Sequence, residues 1–186
     1  MKKILLLTLL MSFTLSINAQ ETSDTSEVSS QRMNDIMISP FPTIAGTHVN
    51  VSYERLLNAE SGIGLDAFVS IENGGGSSQF SPYYRMYFGK KYAAGFFVEG
   101  FLPITSSKYI VHHYYFDHSG ASMAYPEEKR LTTFGLGIGL GGKWYTKKNI
   151  IFEASFGIAR RFGNNEESYD YSPITGKGML GIGYRF

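Results

Sequence analysis

Gly176-Lys-Gly-Met-Leu-Gly-Ile-Gly-Tyr-Arg-Phe186 closes the sequence, and its side chains alternate in character. Every second position from Gly178 to Phe186 belongs to one face, which carries Leu180, Ile182 and Tyr184. The other face carries Lys177, Met179, Gly181, Gly183 and Arg185. A period of two indicates a β-strand. A strand of about ten residues that is apolar on one side is typical of transmembrane β-barrels.

The amino terminus has the pattern of a secretory signal. Met1-Lys-Lys3 is basic, residues 4–15 are mostly apolar, and Ala19 supplies a small residue before Gln20. This pattern predicts a cleaved signal peptide over residues 1–19, because an apolar run of about twelve residues is shorter than the roughly twenty that span a bilayer. We expect residues 20–33 to form a flexible periplasmic leader and residues 34–186 to form an outer-membrane β-barrel.

Composition excludes several classes of protein. The chain has no cysteine, which rules out a lipidated amino-terminal Cys, a disulfide and a thiolate metal site. Without the two lysines of the predicted signal, 15 basic residues face 16 acidic ones, so nucleic acid is not an expected partner. The 21 glycines, 13 tyrosines and 14 phenylalanines are typical of barrels with aromatic girdles.

The rest of the chain repeats the alternation. Turn signals separate eight segments, at 35–44, 48–57, 62–71, 79–88, 94–105, 131–145, 150–162 and 176–186. Pro40 and Pro42 make the first segment the weakest strand prediction. Short and long connections alternate after the first, which predicts an all-β, eight-stranded antiparallel up-and-down transmembrane β-barrel with short periplasmic turns and longer extracellular loops. The alternative is a soluble lipocalin-like barrel, whose apolar side chains would point inward.

If the bulky face meets lipid, the opposite face places charges in the lumen. We predict a lumen ion-pair network with trapped water rather than an open pore, because eight strands leave an interior just wide enough for side chains. A narrow pore or small-ligand channel remains the alternative. The predicted network consists of Glu54, Asp66, Arg85, Glu99, Lys143, Glu153, Arg161, Lys177 and Arg185.

Residues 106–130 predict a long extracellular loop that contains three of the four histidines. Its candidates for contact with a partner are Tyr109, His112, His113, Tyr114, Tyr115 and His118. Two of its histidines with Asp117 have the chemistry of metal ligands. However, His112 and His113 are adjacent and would point to opposite faces of a strand, so we expect no metal site.

A hydrolase would need a base, a nucleophile and an orienting acid, for which His118, Ser119 and either Glu127 or Glu128 are available. Outer-membrane lipid A deacylases are small barrels, but they carry a His and a Ser two positions apart near a strand rim. His118 and Ser119 are adjacent in a predicted loop. We therefore predict no enzyme, no catalytic residue and no cofactor, and keep a rim enzyme acting on outer-membrane lipid as an alternative.

Four motifs carry a family resemblance: Val51-Ser-Tyr-Glu-Arg55, Ser81-Pro-Tyr-Tyr-Arg85, Gly95-Phe-Phe-Val-Glu99 and Gly183-Tyr-Arg-Phe186. With them the chain resembles the small outer-membrane β-barrel families related in architecture to OmpA and OmpX, and looks most like their domain-of-unknown-function branch. The resemblance implies a bacterial outer-membrane location, contact with outer-membrane lipid, and insertion by the barrel-assembly machinery, with Tyr184 and Phe186 as the assembly signal. We expect a structural envelope role with outer loops that contact an extracellular protein or glycan.

Overall fold

The computed structural model describes residues 32–40, 48–70, 76–116, 122–162 and 172–186. The predicted signal peptide and residues 20–31 of the predicted leader lie outside this part. The strands are β1 (Asn34–Ile38), β2 (His48–Leu56), β3 (Ser61–Ser70), β4 (Ser78–Tyr87), β5 (Gly95–Phe101), β6 (Ile104–Phe116), β7 (Ser122–Tyr145), β8 (Ile150–Phe162) and β9 (Ile174–Arg185). No helix in these ranges is long and apolar enough to cross a membrane.

The strands form one antiparallel sheet that closes on itself. β1 pairs with β2 on one side and with β9 on the other, and the pairing of β3 with β4 completes the ring. β5 and β6 follow one another along a single strand position of the ring, since both pair with β4 on one side and with β7 on the other. Nine strands therefore make a ring of eight, and the prediction of an antiparallel all-β ring of eight is confirmed.

The predicted strand over 94–105 is wrong in one respect, because it is interrupted at Leu102 and Pro103. Here Pro82 of β4 faces the interruption, and its carbonyl oxygen accepts a hydrogen bond from the amide of Leu102 at 2.9 Å. Neither proline has an amide hydrogen to donate to the ladder. Pairing with β4 stops at Phe101 and resumes at Ile104, so the chain keeps its place in the ring.

The predicted loop over 106–130 is also wrong. β6 continues to Phe116, β7 begins at Ser122, and the two strands pair residue by residue back to Ile104 and Phe134. In the described part, β6 pairs with β4 only as far as Ser106. The remainder is a two-stranded hairpin that extends past the ring, and its two strands satisfy each other's backbone groups. β1 is also shorter than predicted and ends at Ile38, two residues before Pro40.

Burial alternates along the strands with apolar side chains outside. Ile138 in β7 is 70% exposed, whereas Lys143 further along the same strand is completely buried. This distribution is the reverse of the one expected for the lipocalin-like alternative. Glycines fill the inner face of β7, where a Cβ on Gly141 would lie 2.6 Å from the Phe97 ring and 2.7 Å from the Ala154 carbonyl oxygen.

The two ends of the ring differ. Short turns over 57–60, 88–94 and 146–149 define the short-turn end, where Leu56, Tyr87, Ala93 and Phe97 form an apolar cluster. Met33 packs against this cluster, although it falls in the predicted leader. The β6–β7 hairpin defines the opposite, hairpin end.

Candidate functional site

The centre of the lumen is organised by Arg85, which projects inward from β4. Its Nη1 and Nη2 atoms donate to the two carboxylate oxygens of Glu153 at 2.7 and 2.8 Å. Nη1 also donates to Glu54 at 3.0 Å, and Nε donates to Glu99 at 2.9 Å. The guanidinium lies 4.0 Å from the centroid of the Phe97 ring. A planar, five-donor group suits this site because it serves three carboxylates at once.

A second group of charges lies toward the short-turn end. Lys143 Nζ contacts Glu54 at 2.5 Å and Asp35 at 3.2 Å. Arg185 donates to both oxygens of Asp35, at 2.8 and 2.9 Å. It also donates to the carbonyl oxygens of Tyr92 and Ala93 at 2.9 and 3.0 Å. Arg185 therefore ties β9 to β1 and to the turn over 88–94.

Toward the hairpin end the pairing becomes sparser. Lys177 Nζ lies 2.9 Å from Glu99 Oε1 and 4.1 Å from the Tyr83 ring centroid. Asp66 is buried at 3% exposure, and its Oδ1 atom has no hydrogen-bond partner among the described residues. Lys177 Nζ and Glu99 Oε1 form an ion pair by distance, but neither atom makes a hydrogen bond within the described residues. The side chains at the centre are thus more fully hydrogen-bonded than those beside Asp66 and Lys177.

A cavity of about 600 Å³ opens at the hairpin end, above Asp66 and Lys177. Its wall includes side chains from seven strands, among them Asn50, Phe68, Gln79, Thr105, Tyr109 and Thr175. Gln79 is held from both sides: its Oε1 accepts from Thr105 and Thr175 at 3.0 Å each, and its Nε2 donates to the Gly176 carbonyl at 3.1 Å. The cavity therefore has an ordered polar wall.

The structure brings together most of the charges predicted for the lumen. Six of the nine pair directly with one another: Glu54, Arg85, Glu99, Lys143, Glu153 and Lys177. Arg185 joins them through Asp35, which also contacts Lys143. Asp66 lies beside them, whereas Arg161 borders the cavity and its guanidinium donates to the Ser172 carbonyl oxygen. Arg161 is thus at the rim, because it lies one residue from the end of β8.

Sequence reasoning missed three participants. Asp35 joins Lys143 to Arg185, Tyr87 donates to Glu54 at 2.5 Å, and the Tyr83 hydroxyl contacts Ser52 at 2.9 Å. Asp35 had a usable signal, since it occupies an inward position of the first predicted strand. The two tyrosines could have been predicted to face the lumen, because they alternate along β4 with the outward-facing Tyr84 and Met86.

The residues predicted for loop contacts lie mainly in a strand. Tyr109, His112, His113, Tyr114 and Tyr115 belong to β6, and His118 lies outside the described residues together with Ser119. His113 Nε2 lies 2.8 Å from Glu127 Oε2 across the hairpin. Within the described residues, no group of three or more His, Asp or Glu side chains is arranged to hold a metal ion.

Tyr184 and Phe186, the predicted assembly signal, both lie on the outer face. The Tyr184 hydroxyl accepts a hydrogen bond from Arg32 at 2.7 Å. The backbone of Phe186 exchanges two hydrogen bonds with Asn34, at 2.8 and 3.0 Å. The end of β9 is thereby joined to the start of β1.

Fold and lumen together define a class, a closed antiparallel β-barrel with an apolar exterior and an ion-paired interior. A solved structure has this architecture: the N-terminal β-barrel domain of Pseudomonas aeruginosa OprF is similar to this chain with a TM-score of 0.52 and 15% identity. The match covers 84% of this chain and 98% of the OprF domain. No family model and no curated protein matches the sequence. At this identity the likeness shows a β-barrel fold.

Proposed function

We propose that this chain is a non-enzymatic β-barrel of the bacterial outer membrane with a structural role in the envelope. The observation that carries the proposal is the apolar belt outside a charged interior, with residues such as Phe134, Ile138 and Ile158 more than 60% exposed. In water each such side chain would forfeit the roughly 25 cal/mol per Å² that burial provides. In lipid it carries no such cost, and the closed ring leaves no unpaired strand edge within the belt.

The proposed orientation follows from the connections. Barrels of this membrane have short periplasmic turns and longer outer loops. The short-turn end therefore faces the periplasm, and the β6–β7 hairpin faces the outside, where we propose that it contacts an extracellular protein or glycan. Tyr184 and Phe186 then lie at the periplasmic boundary, a position suited to recognition by the barrel-assembly machinery.

The packed lumen supports a closed barrel over the pore alternative. Arg85, Lys143, Glu54 and Glu99 are all at most 2% exposed, and they cross-link facing strands. An interior of eight strands has little free cross-section once such side chains occupy it. We therefore propose that the barrel does not conduct ions.

A matched pair of isoleucines tests membrane insertion. Ile138 lies in the middle of the stretch of β7 that pairs with β8, while Ile110 is 56% exposed on the hairpin beyond the ring. In phospholipid vesicles, Ile138→Arg should cost about 2–4 kcal/mol of folding free energy, because arginine would lie near the bilayer midplane. Ile110→Arg should change it by less than about 0.5 kcal/mol.

The measurement is urea unfolding in vesicles, combined with gel mobility of outer-membrane fractions with and without boiling. A chain that folds in water without lipid, and tolerates arginine equally at both positions, would contradict the proposal. Fractionation into the soluble periplasm would contradict it independently.

A further inference from the structure

The cavity at the hairpin end has the dimensions of a small-molecule site. Its volume of about 600 Å³ falls within the range of about 300–1,000 Å³ common for such sites. Two aromatic side chains, Phe68 and Tyr109, line it among a larger number of polar ones. Phe68 is the one bulky apolar residue at the inward positions of β3. The cavity thus offers an apolar surface within a polar wall.

The charged residues of this wall are mostly positive. Among the described residues that line the cavity, Lys108, Arg161 and Lys177 are cations from three different strands, and Asp66 is the one carboxylate. Lys108 also pairs with Glu128 at 3.4 Å, but these side chains are 34% and 61% exposed, so water screens the pair. A cleft lined mainly by one sign of charge concentrates ligands of the opposite sign. The lining therefore favours an anion.

Lys177 is the buried cation of the wall. Its side chain is 4% exposed, and its Nζ atom makes no hydrogen bond within the described ranges. Glu99 Oε1 lies 2.9 Å away, which makes an ion pair by distance, but that oxygen makes no hydrogen bond there either. An ammonium group has three N–H donors, and buried donors without an acceptor are rare. Lys177 thus lacks an acceptor, which an anionic ligand would supply.

Two buried acceptors on the same wall lack a donor. Asp66 Oδ1 and Asn50 Oδ1 make no hydrogen bond in the described part of the chain, although their residues are only 3% and 4% exposed. The Asn50 amide is oriented by its other end, since Nδ2 donates to the Gly178 carbonyl oxygen at 2.8 Å. A carboxylate cannot satisfy these oxygens because it only accepts, whereas each hydroxyl group donates one hydrogen bond. The wall therefore matches a ligand that carries both an anionic group and hydroxyl groups.

We propose that this cavity binds an acidic sugar, a ring with several hydroxyl groups and one carboxylate. The carboxylate accepts from Lys177, and hydroxyl groups donate to Asp66 and Asn50. These two residues are diagonal neighbours with Cβ atoms about 7–8 Å apart, because Asn50 pairs with Phe68 and Asp66 lies two residues before it. The apolar face of the sugar ring lies against Phe68.

This inference specifies the glycan contact proposed above, and it rests on the proposed orientation, in which the cavity opens to the outside. The glycan would present one acidic sugar unit to the cavity. The negative charge of that unit, rather than its hydroxyl groups alone, would distinguish it from a neutral sugar.

Isothermal titration calorimetry of the barrel refolded in non-ionic detergent micelles tests the site. The probe is D-glucuronate at neutral pH. D-glucose has a similar ring without the carboxylate, and acetate has the carboxylate without the hydroxyl groups. We expect saturable binding of glucuronate in the millimolar range, and binding of glucose and of acetate that is weaker by about tenfold or more, because each lacks one set of hydrogen bonds.

A pair of lysine variants locates the binding. Lys177→Met should weaken glucuronate binding about tenfold, because it removes a charge-assisted hydrogen bond. Lys148→Met makes the same change of charge at an exposed position in the turn over 146–149 at the other end, and it should leave binding unchanged.

Four outcomes would overturn the proposal: no binding of glucuronate, equal binding of glucose or acetate, unchanged affinity in Lys177→Met, or tighter binding of ethanolamine than of glucuronate. The comparison of probes on the unsubstituted chain needs no variant, so it remains decisive if Lys177→Met fails to fold. The titration requires only the folded barrel, whereas Ile138 and Ile110 test membrane insertion, so a failure of one proposal is distinguishable from a failure of the other.

Discussion

Replacing Arg85 with methionine should be the most damaging single change in the lumen. The side chain makes four short contacts with three carboxylates, at distances of 2.7–3.0 Å, and is only 2% exposed. Methionine has a similar length but no charge. Removing one partner of a buried ion pair typically costs about 3–5 kcal/mol, because the remaining charge is buried without compensation.

The remaining contacts show where the cost arises. Without Arg85, Glu99 keeps Lys177 at 2.9 Å, and Glu54 keeps Lys143 at 2.5 Å. Among the described residues, Glu153 then has only Lys143 at 3.9 Å as an ionic partner, together with the Ser155 hydroxyl at 2.9 Å. The double variant Arg85→Met, Glu153→Gln should therefore recover at least about 1 kcal/mol of the loss.

Urea unfolding in vesicles, followed by the fluorescence of the single tryptophan, Trp144, measures these differences. Arg55→Met is the matched control, because Arg55 is exposed on the outer face and donates to Asn34 at 2.9 Å. It should cost less than about 1 kcal/mol. The reasoning is refuted if Arg85→Met destabilises no more than Arg55→Met, or if Glu153→Gln brings no recovery.

Three further predictions follow from the same structure. Gly141→Ala should lower the free energy of unfolding in urea by about 1–3 kcal/mol, because its Cβ would meet the Phe97 ring and a backbone oxygen. Gly100→Ala is the control and should be neutral or stabilising, because a Cβ there meets nothing within 4 Å. Equal effects of the two substitutions would be inconsistent with the packing. Phe186→Ala should reduce the fraction of the protein that assembles in cells, measured as the fraction whose gel mobility changes on heating. Refolding into vesicles should be unaffected, because the backbone hydrogen bonds of residue 186 to Asn34 remain. An equal loss in both assays would argue against an assembly signal. Purified barrel in planar bilayers should show no single-channel steps, and regular steps would exclude a closed lumen.

The alternation of apolar and polar residues predicted much of the fold, and the predictions that were wrong have identifiable causes. The parity of β9 predicted that Leu180 and Ile182 point outward and that Met179 and Arg185 point inward, as their burial confirms. The interruption at Pro103 was missed although the sequence contains a local signal for it, since proline has no amide hydrogen for the ladder. The β6–β7 hairpin was missed because its polar composition resembles that of a loop, although its backbone is fully paired.

The candidate site could be anticipated as a set of residues but not as an arrangement. Parity placed Arg85 and Glu153 on inner faces, yet nothing in the sequence indicates that the two side chains, 68 positions apart, meet at 2.7 Å. Asp66 has the same parity as the paired acids, yet its Oδ1 atom has no hydrogen-bond partner within the described residues, a difference that the alternation does not predict.

The sequence by itself determined the element type and the face of each side chain, because a strand's period of two is a local property of the backbone. Only the tertiary structure decided which charges pair, where the lumen is filled and where a cavity remains. Those outcomes depend on ring closure and on the stagger between strands, which bring inner faces together from distant parts of the chain.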